Sequence, residues 1–252
     1  MLGFALIAGG VQAGEEEEGK RIALEMDRVE SGYGDYRASV AMTLRDRKGR
    51  ESMRHMQFLT KETDGDGDKS IVVFKQPRDI KGVTALTYSH KTDSDDQWLY
   101  LPKLRRVKRI SSANQAGPFV GSEFAYEDIG SEEPEKYNYR HLGQDAHEGN
   151  PCHLIERLPV NPDSGYSKQV VWVEIERMIP WRIDYYDRKE ELLKTLTYSG
   201  YQLYQQRFWR PDRKEMVNYQ AGKSTLVEYS DYAFSTNLSD QDLSVSALKR
   251  SR

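Results

Sequence analysis

Apolar and polar residues alternate along most of this chain, in short runs that are separated by turn residues. The first run begins at Asp35, and every second residue from Tyr36 to Leu44 is apolar. Because successive side chains of a strand point to opposite faces, this period of two predicts a strand with one buried face. Similar runs continue to Phe234 and predict a long antiparallel meander. The predicted strands span residues 35–45, 50–62, 70–75, 82–89, 97–101, 106–110, 137–142, 153–158, 168–176, 181–187, 193–198, 203–210, 215–220 and 226–234.

Helical patterns are confined to the two ends of the meander. Residues 15–31 repeat apolar residues at helical spacing and are followed by Gly32, which predicts an amphipathic helix. Residues 237–240 offer capping residues for a short closing helix that contains Leu243 and Leu248. The fold class is therefore mainly β, and a sheet of this length must close on itself or be covered on its apolar face.

The first residues resemble an export signal. Leu2–Val11 is apolar and is followed by Gln12 and Ala13, which predicts a signal peptide over residues 1–13 with cleavage after Ala13. A buried helix and a short anchor are the alternatives, but the run is well short of the about 20 apolar residues that span a bilayer. The rest, residues 14–252, contains no linker and is predicted to be one domain. The single cysteine, Cys152, excludes an internal disulfide and is expected to be a buried thiol.

Composition argues against a nucleic-acid-binding protein. The chain has 252 residues, 37 Lys and Arg, and 40 Asp and Glu, so its formal net charge is -3. Proteins that bind nucleic acid without sequence preference depend on a positive surface that neutralises phosphates. The chain contains 11% aromatic residues, including 16 tyrosines, which suits a sheet protein with a solvated outer face.

No motif predicts catalysis, a metal or a cofactor. Asp64, Asp66 and Asp68 start like a calcium loop, but the following positions carry lysine where glycine and a bidentate glutamate are required, so a mobile hairpin turn is expected. The five histidines lack zinc-site spacing. Ser122 follows a glycine but is not part of a nucleophile elbow, and we expect it in a turn or at the start of a helix. A lipid hydrolase with a triad of distant residues stays open as a minor alternative.

The segment 95–128 combines an aromatic strand, a basic run and a glycine-bounded aromatic stretch. Its motifs are Gln97–Pro102, Leu104–Ile110, and Gly121–Ser122 leading into Phe124–Asp128. These motifs closely resemble the central signature of the LolA-like family of outer membrane lipoprotein-sorting proteins. The resemblance extends from about Ile22 to Leu248. It implies an incomplete, strongly curved barrel whose concave side is roofed by helices, for which the first helix, residues 121–129 and the closing helix are the candidates.

The resemblance also implies a function. It indicates a periplasmic carrier, without catalytic activity, that binds the acyl chains of a lipoprotein or lipid. Such proteins often accompany inner-membrane exporters of the RND/MMPL type. An envelope adaptor or sensor that binds a protein partner is the alternative. A carrier must shield its cargo, because burial of one long acyl chain contributes roughly 10 kcal/mol. Glycines and Pro118 around the aromatic stretch would permit a movable lid.

Two groups of residues are the candidate sites. The aromatic residues are expected to be core or to line a cargo cavity; those predicted to bind cargo are Trp98, Tyr100, Phe119, Phe124 and Tyr126. The basic run is expected to be a solvated edge strand, or to contact an anionic headgroup, membrane surface or acidic partner. The residues predicted for that contact are Arg105, Arg106 and Arg109.

Overall fold

The structure, a computed structural model, describes residues 6–249 and contains one long helix and thirteen strands. The helix α1 is Leu6–Glu30. The strands are β1 Asp35–Arg45, β2 Glu51–Lys61, β3 Lys69–Gln76, β4 Thr84–Tyr88, β5 Asp96–Leu101, β6 Arg106–Ile110, β7 Tyr137–His147, β8 Asn150–Pro159, β9 Tyr166–Glu174, β10 Pro180–Asp187, β11 Leu192–Tyr204, β12 Phe208–Asn218 and β13 Lys223–Phe234. Short 3₁₀ helices are Ser112–Asn114, Phe119–Gly121, Tyr126–Asp128, Pro134–Lys136 and Ala247–Lys249.

All thirteen strands form one antiparallel sheet, in the order β6-β5-β4-β3-β2-β1-β13-β12-β11-β10-β9-β8-β7. Neighbours in the sheet are neighbours in the chain, except where β1 pairs with β13 in the middle. The sheet is open, because β6 and β7 form its two edges. It is also curved, since Val72 of β3 and Ile155 of β8 line the same cavity although many strands lie between them. The predicted mainly β, incomplete barrel is confirmed.

Most predicted strands are confirmed, with one error near the C-terminal end. The sequence predicted a separate strand over 203–210, but Leu203 and Tyr204 complete β11 and β12 begins at Phe208. Gln205 and Gln206 have φ angles of 51° and 57° and reverse the chain between the two strands. The pattern did not reveal this turn because neither residue is typical of a left-handed conformation.

The helix α1 begins earlier than predicted, at Leu6, and runs through the expected cleavage position after Ala13. Residues 1–5 of the predicted signal peptide lie outside the described residues. The helix packs on β7 at Gly19, where an added Cβ would lie 2.9 Å from backbone atoms of Arg140 and His141. Ile22 is fully buried on the same side. Close contact with the edge strand therefore requires glycine at position 19.

The connection between β6 and β7 crosses the inner face of the sheet. These strands are consecutive in the chain but lie at opposite edges, so residues 111–136, here called the inner cover, must span the open side. Phe119 and Phe124 of the inner cover are buried in the main core. The predicted roof segment 121–129 is part of this connection.

Residues 235–249, the last that the structure describes, pack on the outer face and are here called the outer strap. Leu238, Leu243 and Leu248 are buried against Leu59, Ile71 and Leu86 of β2, β3 and β4. These strand residues alternate with Phe58, Val72 and Ala85, which belong to the inner core. The closing segment consists of turns and the 3₁₀ helix Ala247–Lys249, so the predicted short closing helix includes Leu248 but not Leu243. Its predicted place on the concave roof is wrong, because the segment packs on the outer face.

Within residues 6–249, no helix is both long enough and apolar enough to cross a membrane.

Candidate functional site

A cavity of about 610 Å³ lies between the inner face of the sheet, the end of α1 and the inner cover. Its apolar wall comes from the inward side chains of several strands and from two aromatic residues of the inner cover. These residues are Val40, Met42, Met56, Val72, Val227, Phe119 and Phe124. Cavities that bind small organic ligands typically measure about 300–1,000 Å³ and have mostly apolar walls with a few polar groups. The size lies in this range, and an apolar wall combined with many polar groups suits a small amphiphile.

Tyrosines form a second part of the wall. Tyr36, Tyr139, Tyr185, Tyr198 and Tyr229 line the cavity, and their hydroxyls have no hydrogen-bond partner among residues 6–249. Burial raises the pKa of Tyr36 and of Tyr139, so both phenols stay neutral and able to donate. The cavity thus presents hydrogen-bonding groups as well as apolar surface.

A buried ion pair crosses the cavity wall. Arg157 of β8 is 5% exposed; its guanidinium donates to Glu132 at 2.5 Å and to Gln169 at 2.6 Å. Glu132 belongs to the inner cover, and the 48% exposure of its side chain is toward the cavity that it lines. Burial acts to raise the pKa of Glu132, but the charge and hydrogen bond of Arg157 outweigh it and the pKa is lowered. The pair joins the inner cover to the sheet while both groups stay charged.

Carboxylates gather where α1 ends and the β2–β3 loop begins. Tyr33 donates to Asp68 at 2.5 Å, and burial together with the nearby charges of Glu133 and Glu62 raises the pKa of Asp68 to about 7. Glu62 accepts hydrogen bonds from the backbone N–H groups of Gly32 and Gly34, each at 2.6 Å. This end of the cavity is therefore acidic, and Asp68 titrates near neutral pH.

The aspartates of the predicted hairpin turn all line the cavity, but they have different partners. Asp66 accepts from the His90 ring at 2.7 Å and from the backbone of Lys91 at 3.0 Å, whereas Asp68 accepts from Tyr33. The hydrogen bond from His90 is the main reason that the pKa of Asp66 falls to about 2. Among residues 6–249, no group of three or more His, Cys, Asp or Glu residues is arranged to hold a metal ion.

The predicted cargo residues are divided between the two faces. Phe119 and Phe124 line the cavity, and Tyr126 packs on Phe119 with ring centroids 5.4 Å apart. Trp98 and Tyr100 lie on the outer face beside the outer strap, because the inward residue of their strand is Leu99. Cargo contact by Trp98 and Tyr100 stays a prediction, and it would need a site other than this cavity.

The predicted basic contact residues share exposure but not direction. Arg105 is in the β5–β6 turn with a φ of 50°, and Arg106 and Arg109 lie on edge strand β6. Arg106 pairs with Leu101, while Arg109 pairs with Trp98 on the outer face and forms an ion pair with Asp96. The expectation of a solvated edge strand is confirmed. Whether these residues contact a headgroup or partner stays a prediction.

Two further expectations are confirmed by their contacts. The Ser122 hydroxyl is buried and donates to the Phe119 carbonyl at 2.8 Å, which makes it part of a turn. Cys152 is fully buried, with its thiol 3.3 Å from the Asn150 carbonyl.

Sequence reasoning missed most of the polar wall of the cavity. Lys214 lines the cavity, as do Arg157 and Tyr198. The alternation of the strand contained this information, because Lys214 lies two residues before the buried Met216 and so points to the same face. A charged residue at an inward position of a strand therefore marked the cavity, although the predicted strand began only at residue 215.

Solved structures place the chain in a family. A family model described as uncharacterized protein matches residues 66–250. An outer membrane lipoprotein-sorting protein domain, so named, from Vibrio parahaemolyticus is 45% identical with a TM-score of 0.92, over 93% of this chain and 100% of that one. A DUF1329 family protein from Desulfovibrio piger is 29% identical with a TM-score of 0.88, over 93% and 99%. No curated protein matches the chain significantly.

The fold extends to more distant relatives. A LolA superfamily protein from Nitrosomonas europaea is 20% identical with a TM-score of 0.73, over 91% of this chain and 98% of that one. At this identity the likeness concerns the fold alone. Together with the closer match at 45% identity, these structures show that the chain belongs to the LolA-like family of outer membrane lipoprotein-sorting proteins.

Proposed function

We propose that this protein is a periplasmic carrier that holds the acyl chains of a lipoprotein or lipid in the cavity. The observation that carries this proposal is the cavity of about 610 Å³ on the inner face of the sheet. A two-sided sheet normally fills its apolar face with its own side chains. Here strands, helix and inner cover surround a space whose apolar wall would shield a hydrocarbon chain from water, while its polar wall would face the polar part of the cargo. The name of the Vibrio relative supports the same class of cargo.

The carrier would take its cargo from inner-membrane machinery, such as an RND/MMPL-type exporter, and pass it toward the outer membrane. Export by the signal peptide, with cleavage after Ala13, is part of this proposal. The mature chain would keep Glu15 and Glu16 near the start of the shortened α1, where the helix dipole favours acidic residues. Intact mass of the protein released by osmotic shock would locate the cleavage site.

The direct test is to extract the purified protein with organic solvent and analyse the extract by mass spectrometry. A carrier should yield acylated cargo close to one molecule per chain. Met42→Trp places a large ring inside the cavity and should reduce the cargo by roughly fivefold or more. Thr43→Trp, at the next position of β1, points to the outer face and is the matched control. Equal cargo in both variants would contradict the proposal.

The second candidate function is an envelope adaptor that binds a protein partner. The observation in its favour is the tip of the β5–β6 hairpin, where Leu104 is 64% exposed between Lys103 and Arg105. An adaptor should copurify with a protein and without acylated cargo, so the extraction experiment separates the two functions.

The basic residues of this hairpin are proposed to contact an anionic membrane surface during transfer. Changing Arg105, Arg106 and Arg109 to Ala should weaken binding to anionic vesicles by up to about 100-fold at low salt, at about 1 kcal/mol per residue. The effect should shrink as salt screens the charges. A variant with Arg47, Lys48 and Arg50 changed to Ala, at the exposed β1–β2 turn, is the matched control. Equal losses in both variants would leave the hairpin without a specific role.

We propose no catalytic activity. Since the Ser122 hydroxyl is buried and bonded to a carbonyl, it is not placed to attack an ester. Phospholipid turnover that is lost specifically in Ser122→Ala would contradict this.

A further inference from the structure

The interior of the cavity contains a lysine without a counterion. Lys214 of β12 lines the cavity, and its ammonium nitrogen lies 5.4 Å from the ring centroid of Tyr198 and 5.5 Å from that of Tyr229. Its ammonium makes no hydrogen bond or ion pair within residues 6–249. An ammonium group has three donors, and a partly enclosed charge is costly unless it has a partner. The two rings attract the cation through their π electrons, but they are not oxygen acceptors for its three N–H donors.

The carboxylate of Glu132 does not fill this role. Glu132 is close enough for the charge of Lys214 to help lower its pKa, after burial and the larger effect of Arg157. Its carboxylate, however, is already bound to Arg157 at 2.5 Å. Glu132 therefore does not form an ion pair with Lys214 in this part of the cavity.

The surroundings of Lys214 supply further donors. Tyr198 and Tyr229 flank it, and neither hydroxyl has a hydrogen-bond partner in the described chain. Burial raises the pKa of Tyr198, so that phenol remains a donor. An ammonium between two free phenols matches the needs of an anionic oxygen group, which accepts several hydrogen bonds.

We propose that Lys214 binds the anionic group of the cargo inside the cavity, so that the cargo is a carboxylate- or phosphate-bearing amphiphile. This inference rests on the carrier function and narrows its substrate class. Val227 pairs with Lys214, and Met42 pairs with Val227 on the next strand, so both provide apolar surface on the inner face for the chain of the same molecule. The charged end of the cargo is thus held within the protein instead of at the mouth.

The test measures binding of three probes that share a twelve-carbon chain to the delipidated full chain. The probes are dodecanoate, dodecyl phosphate and dodecanol. We expect at least one anionic probe to bind about tenfold or more tightly than dodecanol, which corresponds to one charge-assisted contact. The probe with the larger advantage distinguishes a carboxylate from a phosphate as the natural group.

Variants assign the advantage to Lys214. Lys214→Met keeps the length of the side chain and should remove the preference for the anionic probe over dodecanol, measured as the ratio of the two dissociation constants. Lys214→Arg should restore most of this preference. Lys168→Met is the matched control, because Lys168 also lies 5.0 Å from a tyrosine ring, that of Tyr186, but outside the cavity lining. Melting curves establish that each variant is folded.

The possible failures are distinguishable. If all three probes bind the unaltered protein equally, or Lys214→Met keeps the preference, the anionic site is overturned while the carrier function stands. If no probe binds and organic extraction yields no cargo, both the anionic site and the carrier function fail.

Discussion

The inner cover and the outer strap both lie across the same sheet, but different kinds of contact hold them there. The outer strap is held by Leu243 and Leu248, which are fully buried against strand leucines and isoleucines. The inner cover combines the buried Phe119 and Phe124 with buried polar contacts, among them the ion pair between Lys194 and Asp128 at 2.7 Å. The buried contact of the outer strap is thus mainly apolar, with polar contacts such as Tyr88 to the Leu243 carbonyl at 2.7 Å, whereas buried polar groups help to hold the inner cover beside the cavity.

The polar attachments of the inner cover reach strands on both sides of the sheet centre. Arg54 of β2 donates to the Val120 carbonyl at 2.7 Å, and Asn218 of β12 donates to Glu123 at 2.7 Å. Directional contacts can hold a segment at fixed points without filling the space beneath it, whereas apolar contacts stabilise only by excluding water. The comparison teaches that directional polar contacts hold the inner cover at fixed points beside the cavity, whereas leucines pack the outer strap closely on the sheet. Sequence reasoning expected a movable lid here, and opening would first have to break these contacts.

The largest effect is expected from Lys194→Met. It leaves the buried Asp128 without its cationic partner, with hydrogen bonds only from Tyr166 and the Ala125 backbone, and removes the contact to the Glu123 carbonyl at 2.9 Å. Loss of one partner of a buried pair typically destabilises by about 3–5 kcal/mol. Chemical denaturation measures the change. Arg45→Met, which breaks the exposed pair with Glu51, is the control and should change stability little. Similar results for both would mean that the inner cover does not depend on its buried ion pair.

The outer strap is tested by Leu243→Ala. Deletion of a fully buried leucine side chain should lower the free energy of unfolding by about 2–5 kcal/mol. Val245→Ala, in the same segment but 38% exposed, should have a much smaller effect. Cargo binding should be retained in Leu243→Ala at temperatures where it is folded, because this side chain lies on the face opposite the cavity. Loss of cargo binding in the folded variant would contradict the separation of the two faces.

The acidic end of the cavity predicts a pH dependence. The raised pKa of Asp68, about 7, means that the folded state holds a proton that the unfolded state loses near pH 4. Its contribution to stability is therefore present below pH 4 and is lost as the pH rises toward 7. Asp68→Asn should raise stability relative to the unaltered protein by on the order of 2 kcal/mol at pH 8. At pH 4 the two should be nearly equal in thermal melting; a constant difference would exclude Asp68 as the titrating group.

The smallest effect is expected from Ser122→Ala within the inner cover. Its hydroxyl makes one good hydrogen bond, to Phe119, so the loss should be about 1 kcal/mol. The shift of the denaturation midpoint would measure this loss, provided that the dependence of the unfolding free energy on denaturant concentration is unchanged. A loss as large as that of Lys194→Met would show that the turn, and not the buried ion pair, holds the inner cover.

The amino-acid sequence determined the strands, because a period of two needs only the local chain to be recognised. It also placed the amphipathic helix, the edge character of the basic run and the burial of Cys152. These features follow from side-chain periodicity, charge and residue type, which act over a few neighbouring positions. The family signature added the open, curved sheet.

Only the tertiary structure decided which face of each strand became the inner one. Trp98 and Tyr100 have the aromatic character of a cavity wall, yet pairing of Trp98 with Leu86 places them on the outer face. Lys214 has the character of a solvated residue, yet its register with Tyr198 and Val227 places it in the cavity. Alternation defines two faces for each strand but does not say which of them is the inner one. Strand pairing and the crossing of the inner cover between two distant edges decide this, and no local pattern contains either.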